Sequence, residues 1–163
     1  MLLEECLNDA KSQGKDGIIA VTSDKKYNHF LSDKKFFQMQ GFEFADKSEP
    51  YFELWYKKLN ENSSTPKFKE IAKKGEISGR ENEIYKNGIS VYFSNGCPFT
   101  EFYVKELEEV AKKQEFEFHS IKIETKEQAQ NHFVPFTIYS IFKDGKFVTQ
   151  HILTEKSFNK FIK

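Results

Sequence analysis

The chain has 163 residues, and its 25 basic and 25 acidic side chains are spread along its length, so the formal charge is zero. With no basic patch or polybasic tail, nucleic acid and anionic membrane are poor partners for it. No apolar run approaches the roughly 20 residues that span a bilayer, no secretory leader pattern opens the chain, and Cys6 and Cys97 stand too far apart for a disulfide framework, so a reducing cytoplasm is the expected compartment.

A chain of this length could form one domain or two small ones. Its 18 Phe and 7 Tyr supply large units of buried area, roughly 150–250 Å² each, which favours a stable core despite the many lysines. Leu2, Leu3, Cys6, Leu7 and Ala10 recur at helical spacing, and Gly14 with Gly17 ends that helix near Gln13. Cys6 falls on the apolar stripe and reads as a small core residue. A short buried strand follows over Ile18–Thr22. Ser32 and Asp33 supply an N-cap for a helix carrying Phe36, Phe37 and Met39, which Gly41 closes. Strands over Phe42–Asp46 and Tyr51–Lys57, separated by a turn containing Pro50, complete a first part, residues 1–59, in the order helix, strand, helix, strand, strand.

Residues 60–87 read as a linker. Asn60–Pro66 is polar and turn-rich, Phe68–Lys74 is a candidate short helix, and Gly75–Gly88 is mostly charged. The second part, residues 88–163, opens with an apolar strand, Ile89–Phe93, and a turn at Asn95-Gly96. Cys97 and Pro98 sit where a helix begins, with Phe102, Tyr103, Leu107, Val110 and Ala111 as its buried stripe. Phe116–Ile123 alternates as a strand. Thr125 and Gln128 have capping-box spacing for a short helix reaching His132. Pro135, a strand to Phe142, an Asp144-Gly145 hairpin turn, a strand over Lys146–Ile152 and a helix capped by Thr154 finish the chain. The fold class is therefore α/β (α+β).

Cys97 is the residue with the most chemical promise. Free amides and the positive end of the dipole favour a thiolate at a helix N-terminus, and Pro98 fits the first helical position, where its missing N–H loses nothing. The order strand, Cys-Pro, helix, loop proline, hairpin, closing helix resembles the thioredoxin-like pattern. In glutaredoxins and thioredoxins the nucleophilic cysteine begins a Cys-Pro-X-Cys/Ser/Thr segment, here Cys97-Pro98-Phe99-Thr100. The family's cis-proline corresponds to Pro135, and the resemblance implies a groove formed by Pro98, Phe99, Thr100, Val134 and Pro135. Thr100 stands in place of a second cysteine, so any redox chemistry would be monothiol, with glutathione or a partner thiol resolving it. Phe99 could shield the sulfur. The other reading is a binding or packing module without redox function.

Ala129-Gln130-Asn131, Phe136-Thr137-Ile138-Tyr139 and the run Phe142–Thr149 together resemble the YoaP-like domain, which is fused behind acetyltransferase domains in bacteria. Residues 1–59 in turn resemble the C-terminal half of a GNAT-superfamily acetyltransferase domain, most visibly at Gly41-Phe42 and Tyr51-Phe52-Glu53-Leu54. The resemblance implies acetyl transfer from acetyl-CoA to a small-molecule or peptide amine by the full-length protein. The superfamily's Arg/Gln-X-X-Gly-X-Gly/Ala loop, which binds the pyrophosphate at a helix N-terminus, would precede Met1–Leu3 and is not in the chain. The tyrosine that often serves as general acid is replaced by Phe37, and a cofactor-contacting asparagine by Phe30. Tyr27, Asn28 and His29 offer the nearest polar groups. The expectation is a partial acetyltransferase unit, inactive alone, that pairs as a homodimer through its truncated sheet.

His119 and His132 have no metal-ligand spacing and read as surface or loop residues. Glu4, Glu5, Glu108 and Glu109 read as solvated helix charges.

Overall fold

The computed structural model describes residues 2–24 and 31–162, in a mixed α/β arrangement with two four-stranded sheets. Contacts divide the chain into two units, Met1–Phe68 and Lys69–Lys163. No helix among the described residues is long and apolar enough to cross a membrane.

The first unit runs α1 (Leu2–Ser12), β1 (Gly17–Ser23), β2 (Ser32–Asp33), α2 (Lys34–Met39), β3 (Glu43–Ser48) and β4 (Phe52–Lys58). Its sheet has the order β2-β1-β4-β3. The central strand β4 carries the burial: Phe52, Leu54, Trp55 and Tyr56 are all buried. β1 lies antiparallel to it from Gly17 opposite Lys58 to Ser23 opposite Phe52. Close approach requires glycine at position 17, because a Cβ there would sit 2.2 Å from the Tyr56 ring and 2.7 Å from the Lys57 carbonyl. α2 begins where expected, since the Asp33 side chain accepts a hydrogen bond from the Lys35 amide at 2.9 Å and satisfies one of the orphan donors of the first turn.

Two features depart from the sequence pattern. β2 is a two-residue strand, parallel to β1 only at Thr22 and Ser23, too short to leave a periodic signal. Cys6 is exposed rather than a core residue. α1 fully buries none of its residues, and Leu2 is 87 % exposed; Leu3, Leu7 and Ala10 are half-buried, whereas Cys6 is left on the exposed side.

The second unit comprises β5 (Ile89–Phe93), α3 (Thr100–Lys113), β6 (Phe118–Lys122), α4 (Lys126–Gln130), β7 (Tyr139–Lys143), β8 (Lys146–Thr149) and α5 (Glu155–Ile162). Its sheet order is β6-β5-β7-β8, with β5 parallel to β6 and antiparallel to β7. Strand alternation separates two layers. Ile89, Val91 and Phe93 of β5 join Tyr139 and Ile141 of β7 in one core with Val104, Leu107, Val110, Ala111 and Phe158. The alternate residues belong to an aromatic layer, in which the Tyr92 ring lies 5.0 Å from His132, 5.7 Å from Phe133 and 5.5 Å from Phe142.

α3 buries Leu107, Val110 and Ala111 of the expected stripe, but its first turn turns a different face inward. Phe102 is 60 % exposed, whereas Val104 is buried at its four-residue spacing from Thr100. The charged stretch before β5 is tied into this unit: the Ile77 amide donates to the Gly145 carbonyl and the Phe147 amide to the Gly75 carbonyl, at 2.8 and 2.7 Å. Short 3-10 turns form at Glu70–Ala72 and Arg80–Lys86. The reciprocal capping box of α4 is present, with the Gln128 amide donating to the Thr125 hydroxyl and the Gln128 side chain accepting from the Thr125 amide. Thr125→Ala is expected to destabilise the second unit by about 1 kcal/mol. Urea titration measures this, and an unchanged midpoint would show that the box is idle.

Candidate functional site

The loop between β5 and α3 holds Cys97, which is half-buried. Helix α3 begins at Thr100, with Phe99 at the cap position, rather than at Pro98. Thr100 explains the later start. It is buried, and its hydroxyl lies 2.9 Å from both the Ser94 and the Cys97 carbonyl oxygens, so it fastens the loop ahead of the helix. Phe99 is 63 % exposed and extends into solvent.

The loop lies beside the segment that precedes β7. The Ser94 amide donates to the Ile138 carbonyl at 3.0 Å, and the backbone at Gly96 packs against the Ile138 side chain. This brings the Cys97 loop to a point three residues beyond Pro135. Val134 is buried, and Pro135 is half-buried. The cis geometry expected at Pro135 is not found: the cis peptide among the described residues is Glu49–Pro50. The intrinsic trans preference before proline is only about 0.5–1 kcal/mol, so context decides the isomer and a sequence match alone does not.

In the first unit, Phe37 packs edge-on against Phe36 and Phe42, with ring centroids 5.3 and 5.0 Å apart. It therefore has a packing role. Tyr27, Asn28, His29 and Phe30 lie outside the described residues.

His132 is not a surface histidine. It is 3 % exposed, its Nε2 lies 2.8 Å from the Ser140 hydroxyl, and desolvation pushes its pKa down to about 3. The imidazole is neutral at physiological pH. His119 contacts Glu117 at 3.3 Å and the edge of Tyr85. Among the described residues no group of three or more metal-ligating side chains occurs.

Sequence patterns did not point to a cavity of about 560 Å³ on the aromatic side of the second unit. The 3-10 turn at Arg80–Lys86, β5, β6 and α4 bound it, and Tyr92, Ile123, His132 and Phe133 are its buried lining. The Tyr92 hydroxyl is buried and has no hydrogen-bond partner among the described residues. The available signal was the Ser90/Tyr92 alternation in β5, which places polar atoms on the second face of a strand otherwise apolar.

Comparison with known proteins bears on the whole chain. Residues 117–160 match a family model described as YoaP-like, a stretch that runs through β6, α4, β7 and β8 into α5. The chain is also 37 % identical over 161 residues to a Bacillus subtilis (strain 168) protein named Uncharacterized N-acetyltransferase YoaP. That alignment covers 99 % of this chain and 61 % of the relative, so the chain spans about three-fifths of the relative's length. No solved structure matches the chain.

Proposed function

We propose that the chain is part of an acetyltransferase-related protein that moves an acetyl group from acetyl-CoA to an amine on a small-molecule or peptide acceptor. The observation that carries this reading is an identity to the Bacillus protein that continues through both units. The succession α1-β1-α2-β3-β4, with its antiparallel β3-β4 pair, supports a partial GNAT-type unit. No Arg/Gln-X-X-Gly-X-Gly/Ala segment occurs in these residues, so on this reading the acetyl-CoA pyrophosphate is bound by residues outside them, and the chain by itself does not transfer acetyl groups. β1 is paired by β4 on one side and on the other only at Thr22 and Ser23 among the described residues. The edge along Gly17–Val21 is where further strands would join, with a second copy of the chain as the competing occupant. Light scattering separates the two: a monomer counts against the homodimer. Cytoplasm is the compartment this chemistry implies. The test of the reading is acetyl transfer after the relative's remaining segment is fused ahead of Leu2.

A second reading is favoured by the β6-β5-β7-β8 order, with β5 parallel to β6, and by Cys97 in the loop after β5. These support a thioredoxin-like accessory unit able to form a mixed disulfide with glutathione. Incubation with oxidised glutathione followed by mass spectrometry should show one adduct that Cys97→Ser removes. An adduct confined to the exposed Cys6 would retire this reading.

A further inference from the structure

We propose that the cavity on the aromatic side of the second unit is a binding site for a small organic cation, a primary amine on a short apolar body. Its floor supplies the apolar half of that recognition: Ile123 and Phe133 are buried there, and Ile121 lies beside them. It also holds an uncommitted polar group. Tyr92 is 6 % exposed and lines the cavity, yet its hydroxyl has no partner among the described residues. A buried hydroxyl without a hydrogen bond is unfavourable, and such groups are normally paired with protein, water or ligand.

The charges around the cavity decide the sign of the occupant. Glu81 and Glu127 lie on its exposed rim. Its single lysine, Lys122, is committed to Glu101 at 2.9 Å, and Glu101 is not part of the lining. His132 is neutral and bonded to Ser140. An anion would therefore meet two carboxylates and no free cation, whereas an ammonium would meet two acceptors at the mouth and a phenol oxygen below. Burial raises the Tyr92 pKa, so the phenol stays neutral and its oxygen can accept a hydrogen bond from N–H. The side-chain oxygen of Gln128 is taken up by the amides of Glu124 and Thr125, and Gln128 and Asn131 both line the cavity. Amines are also the acceptor class of the acetyl transfer proposed above. That link rests on the earlier reading, while the binding does not.

The test uses the full chain without acetyl-CoA, with 2-phenylethylamine as probe and 2-phenylethanol as its neutral counterpart. Titration followed by the side-chain NH₂ signals of Asn131 and Gln128 should saturate with the amine and show at least tenfold weaker binding of the alcohol. Tyr92→Phe keeps the ring and should weaken amine binding about tenfold. Glu81→Gln with Glu127→Gln, both at exposed positions, should weaken it severalfold and bring amine and alcohol closer together. Equal binding of amine and alcohol, or undiminished amine binding by both variants, would overturn the proposal. So would the absence of saturable binding, which would mean a cavity that holds water only. None of these outcomes touches the acetyl-transfer reading, because no transfer is measured.

Discussion

Replacing Phe158 by Ala is expected to destabilise the second unit by about 3–5 kcal/mol, the range for truncating a fully buried aromatic. Phe158 is 0 % exposed and is the one buried residue of α5. It packs edge-on against Phe118 at 6.0 Å and beside Phe161 at 6.5 Å, and it belongs to the same core as Leu107 and Ile141. Without it α5 keeps only partly buried contacts against α3 and the sheet. Since whole domains are stable by only about 5–15 kcal/mol, the variant should lose most of its resistance to urea. Hydrogen exchange should place the earliest loss of protection in α5. A change below about 1 kcal/mol would mean that α5 is not docked through this ring.

The second large effect is acid lability. His132 has an ordinary pKa of 6.5 and about 3 when folded, because burial disfavours its charged form. The depressed folded value fixes the sign. Above pH 6.5 both states are neutral and the stability of the site is intact. Below it the unfolded chain takes up a proton that the folded chain refuses, so stability falls by about 1.4 kcal/mol per pH unit, levelling off near the folded pKa. Over this window the loss amounts to roughly 4 kcal/mol. His132→Asn removes the titration. Its stability should be lower than that of the wild type at pH 7.5 and should fall less between pH 6.5 and 4, so the two curves converge. Parallel curves would show that another group causes the acid loss.

Local signals carried the fold well. Asp33 caps α2 and Thr125 with Gln128 caps α4 because a cap is a contact over two or three residues, fixed by the backbone beside it. The strands of the second unit were legible for a similar reason: the apolar run of β5, the alternation through β6 and the Asp144-Gly145 turn before β8 are patterns of neighbours. What was not legible depends on the opposite face. Phe102 looked like core because phenylalanine is apolar, but Val104, at four-residue spacing from Thr100, is buried in its stead, alongside the expected Leu107, Val110 and Ala111. Cys6 looked like core because its helix has an apolar stripe, yet Leu3, Leu7 and Ala10 are the half-buried members of that stripe and Cys6 is exposed. His132 and Tyr92 lie in a layer made by α4, the loop after it and the second faces of β5 and β7, and Gly75, Ile77 and Tyr85, within the stretch 60–87 read as linker, are hydrogen-bonded to the same unit. Neither the burial of the histidine nor the unpaired tyrosine hydroxyl has a one-dimensional signature. The isomer at Pro135 was inherited from a family resemblance rather than from these residues, and the structure departs from it.

The decisive measurement is acetyl transfer from labelled acetyl-CoA to a panel of amines, comparing this chain with a fusion that places the remaining segment of the Bacillus relative ahead of Leu2. The account predicts no transfer by the chain alone and amine-dependent transfer by the folded fusion. Transfer by the chain alone would contradict a cofactor segment lying outside these residues. A folded fusion that binds acetyl-CoA yet acetylates none of the amines would contradict the acetyltransferase reading itself.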